Sequence, residues 1–224
     1  MPPSRLRPTA PLATRAILVG DPGRSLLLAQ ALLEQPKMSN HARGLWGYSG
    51  RTSSGTELTI QATGMGGPSA AIVLADLAQL GVEQVVRVGT CVAVGGRAGL
   101  GELLAVEEAL ALGGSIDAFG LDVGDTAVPD PGLRAGLEAG PAGEVRSALV
   151  ASLDSADPEA GGIPDPIAAI DLQTAAVLAR APQLGLAAAA LLIVSERDGE
   201  RLDDRQLEAA AEAGGQAAAG SLFG

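Results

Sequence analysis

The chain has 224 residues, 47% of them apolar, and 26 acidic against 15 basic side chains give it a formal net charge of −11. That length suits one α/β domain with a sizeable core, and the acidic surplus excludes nucleic acid and anionic membranes as partners. The lone cysteine, Cys91, rules out an internal disulfide, and the lone histidine, His41, argues against a zinc site or a Ser-His-Asp triad.

Residues 1–15 hold prolines and arginines without an apolar h-region and are expected to form an N-terminal arm, with one domain over 16–224. Ala16-Ile17-Leu18-Val19 predicts a buried strand delivering the turn Gly20-Asp21-Pro22-Gly23. A helix follows over Arg24 to Glu34, stopped by Pro36. Strands over Trp46 to Gly50 and Leu58 to Thr63 flank a polar turn, and a second glycine loop, Gly64 to Ser69, starts a helix over Ala70 to Leu80. Gln84 to Val88 predicts a strand ending in a third loop, Gly89-Thr90-Cys91. Further strands are expected over Glu102 to Val106, Val145 to Ala151 and Ala187 to Val194, with helices over Gly132 to Ala139, Asp171 to Ala181 and Asp204 to Ala219. Gly113 to Asp130 and Ser152 to Pro166 are expected as loops, and the alanine-rich tail Ala209 to Ala219 as a weakly held surface helix.

Strand–helix alternation implies a single-domain, three-layer α/β/α fold around a mostly parallel, mixed sheet, with ligands at the carboxyl ends of its strands. The three glycine loops sit at such ends. Aromatics make up only 2% of the chain, so the core has to be built from small aliphatic groups. Glycine turns and helix starts offer backbone N–H groups to an anion. Arg24 follows the first loop and Arg87 precedes the third, so that two guanidinium groups and the Thr90 hydroxyl could grip a phosphate. A purely structural role for glycine-rich turns stays open on these grounds, because neither GxxxxGK[ST] nor GxGxxG occurs. Cys91 is expected as a buried small hydrophobe, and Asp203-Asp204 as helix N-terminal charge and not a metal site.

Several motifs in order carry a resemblance. Gly20-Asp21-Pro22-Gly23-Arg24 resembles the GDPxR phosphate loop of the nucleoside phosphorylases. Thr63-Gly64-Met65-Gly66-Gly67-Pro68-Ser69 is similar to their second glycine loop, and Arg87-Val88-Gly89-Thr90-Cys91 to their RxGT strand end. Trp46 to Gly50 resembles their LGYTG-like hairpin; Ile170 to Ala176 takes the place of their VEMExAA helix, and Val194-Ser195-Glu196 of their VSD. The resemblance implies a phosphate site of Gly20, Arg24, Arg87 and Thr90, completed by Arg43 from a neighbouring subunit of a dimer-based homo-oligomer, up to a hexamer. It implies a nucleoside site lined by Met65, Cys91, Val92, Leu172 and Gln173, and a catalytic acid, Glu196, paired with Arg205. The implied reaction is phosphorolysis of a nucleoside in the cytoplasm, with inorganic phosphate as co-substrate, no organic cofactor and no metal.

Other positions depart from the family pattern. Gln173 replaces the ribose-binding glutamate, Leu172 a methionine and Val92 a glycine, while Ala156 stands where an aromatic usually follows. An active enzyme with shifted specificity, purine preferred over uridine, and a degenerate member that keeps the anion site without turnover both remain open. An N-ribosyl hydrolase ranks below them, since it has no use for Arg24 and Arg87.

Overall fold

A computed structural model describes residues 5–140, 145–155 and 162–224. Its first strand, β1 (Arg15–Val19), shows why the sheet is covered on both faces. Ala16 and Leu18 point into one hydrophobic cluster, Ile17 and Val19 into another, and all four are fully buried. Asp21 ends the turn after β1 by accepting the backbone N–H of Arg24 at 2.8 Å, and Pro22 opens α1 (Pro22–Leu32), both favoured at a helix start. The chain continues through β2 (Glu34–Asn40), β3 (Gly47–Arg51), β4 (Glu57–Ala62), α2 (Gly67–Gln79), β5 (Gln84–Ala93) and β6 (Leu103–Ala111). It then forms β7 (Thr126–Ala127), α3 (Pro131–Ala139), β8 (Val145–Ser152), β9 (Ala169–Asp171), α4 (Thr174–Gln183), β10 (Ala187–Arg197), β11 (Glu200–Arg201) and α5 (Asp204–Phe223).

The sheet is mixed, as expected, and its longest pairings are parallel: β5 with β10 and β6 with β8. Its topology goes further than an open sheet. β5 pairs with both β9 and β10, and the path β10-β6-β8-β9-β5 returns to β10, closing a ring of five strands. From β5 the sheet runs out through β1, β4 and β3 to β2 at the edge. Helices α2 and α4 cover one face, and α1, α3 and α5 the other.

Several elements differ from expectation. The helix before Pro36 ends at Leu32, and Pro36 lies inside β2. An edge strand tolerates proline because one side of its backbone needs no partner, and the pairing of β2 with β3 is irregular there. β10 runs three residues beyond Val194 and folds back on β11 through Asp198 and Gly199, at φ 50° and 82°, the backbone of a two-residue hairpin turn. The tail is not a weakly held surface helix: α5 buries Ala211, Gly214, Gly215, Ala217, Ala218 and Leu222. It can do so because its glycines bring backbones together. A Cβ on Gly136 of α3 would stand 2.8 Å from Ser221 Cα of α5, and the Ser221 hydroxyl donates to Leu133 O at 2.5 Å. The expected arm is tied down where it is described. The N–H groups of Arg5 and Leu6 donate to Asp76 Oδ2 at 2.7 and 2.8 Å, and Leu6 is 1% exposed. Among the described residues no helix is long and apolar enough to cross a membrane.

Candidate active site

The carboxyl ends of β1, β4 and β5 meet the β9–α4 junction around a cleft of about 260 Å³. Two glycine loops supply Gly20 and Gly64 to Gly66, and the junction supplies Ile170 to Gln173; the expected third loop is strand instead, with Gly89 to Val92 lying in the last part of β5 and paired with β10. Leu153, Ser155 and Ser195 close it. Ser195 donates to Cys91 O at 3.2 Å, a side-chain tie between β10 and β5.

Arg87 stands at the floor and is 4% exposed. Its Nη2 donates to Asp171 Oδ2 at 2.7 Å and its Nε to Thr174 Oγ1 at 3.2 Å. Desolvated ions need every remaining lone pair satisfied. Asp171 meets that demand: it accepts the Ser152 hydroxyl at 2.5 Å, the Thr174 hydroxyl at 2.6 Å and the Thr174 backbone N–H at 3.1 Å. Two of the five arginine donors are used in this way; the other three have no partner among the described residues and are available to an anion in the cleft. The guanidinium lies against Gly89, where a Cβ would come within 2.5 Å of Nη2. Any larger residue there would press on the end of the Arg87 side chain.

Arg24 lies half-buried across the cleft and makes no ion pair or side-chain hydrogen bond among the described residues. Burial holds its guanidinium below the ordinary arginine range; Asp21 opposes that, and the nearby charge of Arg87 adds to it. Two cations that share a poorly solvated cleft raise each other's energy, and an anion between them relieves both costs. Thr90 lines the same end with its half-buried side chain.

The opposite end is mostly apolar. Cys91 is buried, donates to Ile193 O at 3.4 Å, and has its thiol pushed far above the usual range, first by burial. Val92 lines the cleft and also packs on the cluster of Ala151, Ile167 and Ile170. Leu172 borders this region, and Met65 sits at the rim, 87% exposed. Gln173 is buried, with its amide bonded to the second glycine loop. Ala156 lies outside the described residues.

Glu196 is not brought together with Arg205, and neither is among the residues that line the cleft. A bulge between Val194 and Glu196 turns the strand, so that Ser195 faces the cleft and Glu196 bonds Arg201 on β11 at 2.8 Å. Arg205 lies exposed at the start of α5. The Asp-Gly turn that makes the hairpin was the sequence signal for this, since it pairs Glu196 with Arg201 across two short strands. Arg43, expected to serve a neighbouring copy, is exposed in a 3₁₀ turn at φ 61° and does not line this chain's own cleft. The sequence reading missed Asp171, Ser152 and Thr174 as the setting of Arg87. The available signal was an acid between an apolar strand and a helix start, three residues before a threonine.

The comparisons with known proteins agree with this geometry. The family model described as the phosphorylase superfamily matches residues 14–222. A purine nucleoside phosphorylase of the DeoD type from Oceanobacillus iheyensis is 43% identical over 84 residues, covering 37% of this chain and 35% of the relative. One from Geobacillus kaustophilus is 41% identical over 87 residues, covering 38% and 36%. The matched stretch thus spans about a third of the length of these curated relatives. The crystal structure of a uridine phosphorylase from Vibrio fischeri, complexed with 6-hydroxy-1-naphthoic acid, superposes with a TM-score of 0.80 over 94% of this chain and 90% of that one, at 24% identity, and so shares the fold. With the family model matched along nearly the whole chain, this protein belongs to the phosphorylase superfamily, in its nucleoside phosphorylase family.

Proposed function

We propose that the cleft carries out phosphorolysis of a nucleoside, with purine nucleosides preferred over uridine. The observation that carries the proposal is the convergence of Arg24, Arg87, Thr90 and the Gly20 turn on one mouth, where two guanidinium groups keep donors without partners among the described residues. Phosphate held there would present one oxygen to the anomeric carbon of a nucleoside lying toward Cys91, Val92 and Leu172. A bond forms from that oxygen to the carbon as the carbon–nitrogen bond breaks. The electron pair leaves with the base, which takes up a proton, and ribose 1-phosphate remains. The sugar passes through an oxocarbenium-like state, and the arginines position the phosphate and hold its charge. Inorganic phosphate is the co-substrate, and no organic cofactor enters the scheme. Arg43, exposed and without an ion pair among the described residues, would act on the cleft of a neighbouring copy, which makes the active unit at least a dimer. The purine preference rests on Thr90-Cys91 and Ser195-Glu196, together with the DeoD-type relatives.

A second reading, an anion-binding protein without turnover, is favoured by one observation: the Glu196 carboxylate is engaged by Arg201 outside the cleft. One experiment separates the two. Base release from inosine, adenosine, guanosine and uridine is followed with and without phosphate, alongside calorimetry of phosphate binding. Release that depends on phosphate and is lost in Arg87→Ala supports phosphorolysis. Phosphate binding without release from any nucleoside supports the second reading, and release without phosphate overturns both.

A further inference from the structure

Thr174 is fully buried at the start of α4. Its hydroxyl accepts the Nε–H of Arg87 at 3.2 Å and donates its one proton to Asp171 Oδ2 at 2.6 Å. Arg87 Nη2 reaches the same oxygen directly, at 2.7 Å. The Nε–Nη2 edge of the guanidinium is therefore held at two points. Its flat face backs onto Gly89, where a Cβ would stand 2.5, 2.6 and 2.8 Å from Nη2, Cζ and Nη1. A single contact at Nη2 would let the group pivot; two contacts and a covered face fix its plane. The carboxylate is itself anchored, because Asp171 Oδ1 accepts the Ser152 hydroxyl at 2.5 Å and the Ser152 oxygen accepts the Ala175 N–H at 2.9 Å. Asp171 is thus tied to β8 and α4 and does not follow the guanidinium into the cleft.

We propose that Thr174 is a positioning residue for Arg87: its hydroxyl aims the free Nη1–Nη2 edge into the cleft, so that two parallel N–H bonds meet two oxygens of one tetrahedral oxyanion. The proposal rests on the anion site proposed above and not on turnover. The Nη1–Nη2 edge is what remains once Nε–H and one Nη2 hydrogen are spent, and Arg87 lines the cleft. Paired N–H bonds from one edge add geometric specificity to charge, and they need the plane held still. Thr174 is not among the residues that line the cleft, so its effect on an anion passes through Arg87. Without the hydroxyl, the Nε–H is left buried with no acceptor, a costly state. The guanidinium relieves that cost by turning its Nε edge, which takes the Nη1 edge off the anion.

The test measures calorimetric titration with inorganic phosphate, together with thermal unfolding, in the wild type, Thr174→Val and Thr174→Ser. Valine keeps the shape and drops the hydroxyl; serine keeps the hydroxyl. The phosphate Kd is expected to rise by on the order of tenfold in Thr174→Val. In Thr174→Ser it should stay within about threefold of the wild type. Thr174→Ala set against Thr174→Ser gives the same contrast if the valine variant does not fold. A merely structural role would lower the unfolding temperature and leave the Kd of the folded protein alone, and that result overturns the proposal. Weakening in Thr174→Ser equal to that in Thr174→Val overturns it as well, since the hydroxyl would then not be the cause. A wild type that binds no phosphate overturns both the positioning role and the phosphorolysis. Hydroxyl-dependent phosphate binding without base release from any nucleoside supports the positioning role and sinks the phosphorolysis alone.

Discussion

Replacing Gly89 by alanine tests the anion site without touching a charge. The new Cβ would lie 2.5 Å from Nη2, 2.6 Å from Cζ and 2.8 Å from Nη1 of Arg87. Gly89 is not in the left-handed region, so the backbone accepts alanine and the whole strain falls on the guanidinium. Ordinary carbon contacts begin near 3.5 Å, so the group has to retreat by roughly 1 Å. A retreat of that size away from Asp171 would stretch their 2.7 Å bond past hydrogen-bond range. Breaking a buried pair costs about 3–5 kcal/mol, because one ion is left uncompensated. Losing the contact to phosphate costs a further ~1.5–3 kcal/mol of binding, or about 10–150-fold in Kd. Titration calorimetry with inorganic phosphate reads the second cost and thermal unfolding the first, which should lower the midpoint by roughly 6 °C or more. A Gly89→Ala protein that binds phosphate within twofold of the wild type and unfolds at the same temperature would refute the placement of Arg87 over Gly89.

Three more outcomes follow from the packing and electrostatics. Gly136→Ala puts a methyl 2.8 Å from a backbone atom of α5, and overpacking of about 1–3 kcal/mol should outweigh the gain of ~1 kcal/mol in helix propensity; a higher unfolding temperature would show that the helices can separate freely. Burial keeps the Cys91 thiol protonated, so iodoacetamide at pH 8 should label it only after unfolding, and rapid labelling of the folded protein by mass spectrometry contradicts this. For Glu102, burial raises the carboxyl, but the hydrogen bonds from Arg146 and the Gly99 N–H more than offset it and leave the group below its ordinary range. Its stabilising effect is therefore present above the ordinary glutamate pKa and is lost as the pH falls through the lowered value. The gap in unfolding temperature between wild type and Glu102→Gln should shrink between pH 7 and pH 3; a constant gap would count against it.

The grouping of Arg24, Arg87 and the glycine turns at one end of the cleft was legible because glycine and arginine carry their reasons locally. Gly20 and Gly64 follow the ends of β1 and β4, while Gly89, expected to end its strand, lies inside β5; Arg24 and Arg87 flank these glycines, so sequence order alone placed them near one another. What escaped was long-range or very short. β9 has three residues, too few for a periodic signal, yet it delivers Asp171 to an arginine 84 positions away. The surface assignment of the tail failed because alanine and glycine carry little amphipathic contrast; their smallness is what lets α5 sit close to α1 and α3. The pairing of Glu196 with Arg201 was hidden because a bulge is not visible in composition, and one inserted residue exchanges the faces of every side chain after it.

The five-strand ring would give ligand binding a global character. Arg87 arrives on β5, Asp171 on β9 and Ser195 on β10, and a chain with any one of these strands unzipped has no such cleft to offer. Occupancy of the cleft and closure of the ring are then linked equilibria: an anion bound only to the closed form stabilises the whole molecule by about 2.7 kcal/mol at a hundred times its Kd. Phosphate would serve this protein as a folding ligand as much as a reactant, and the abundance of the folded chain would follow the phosphate level around it.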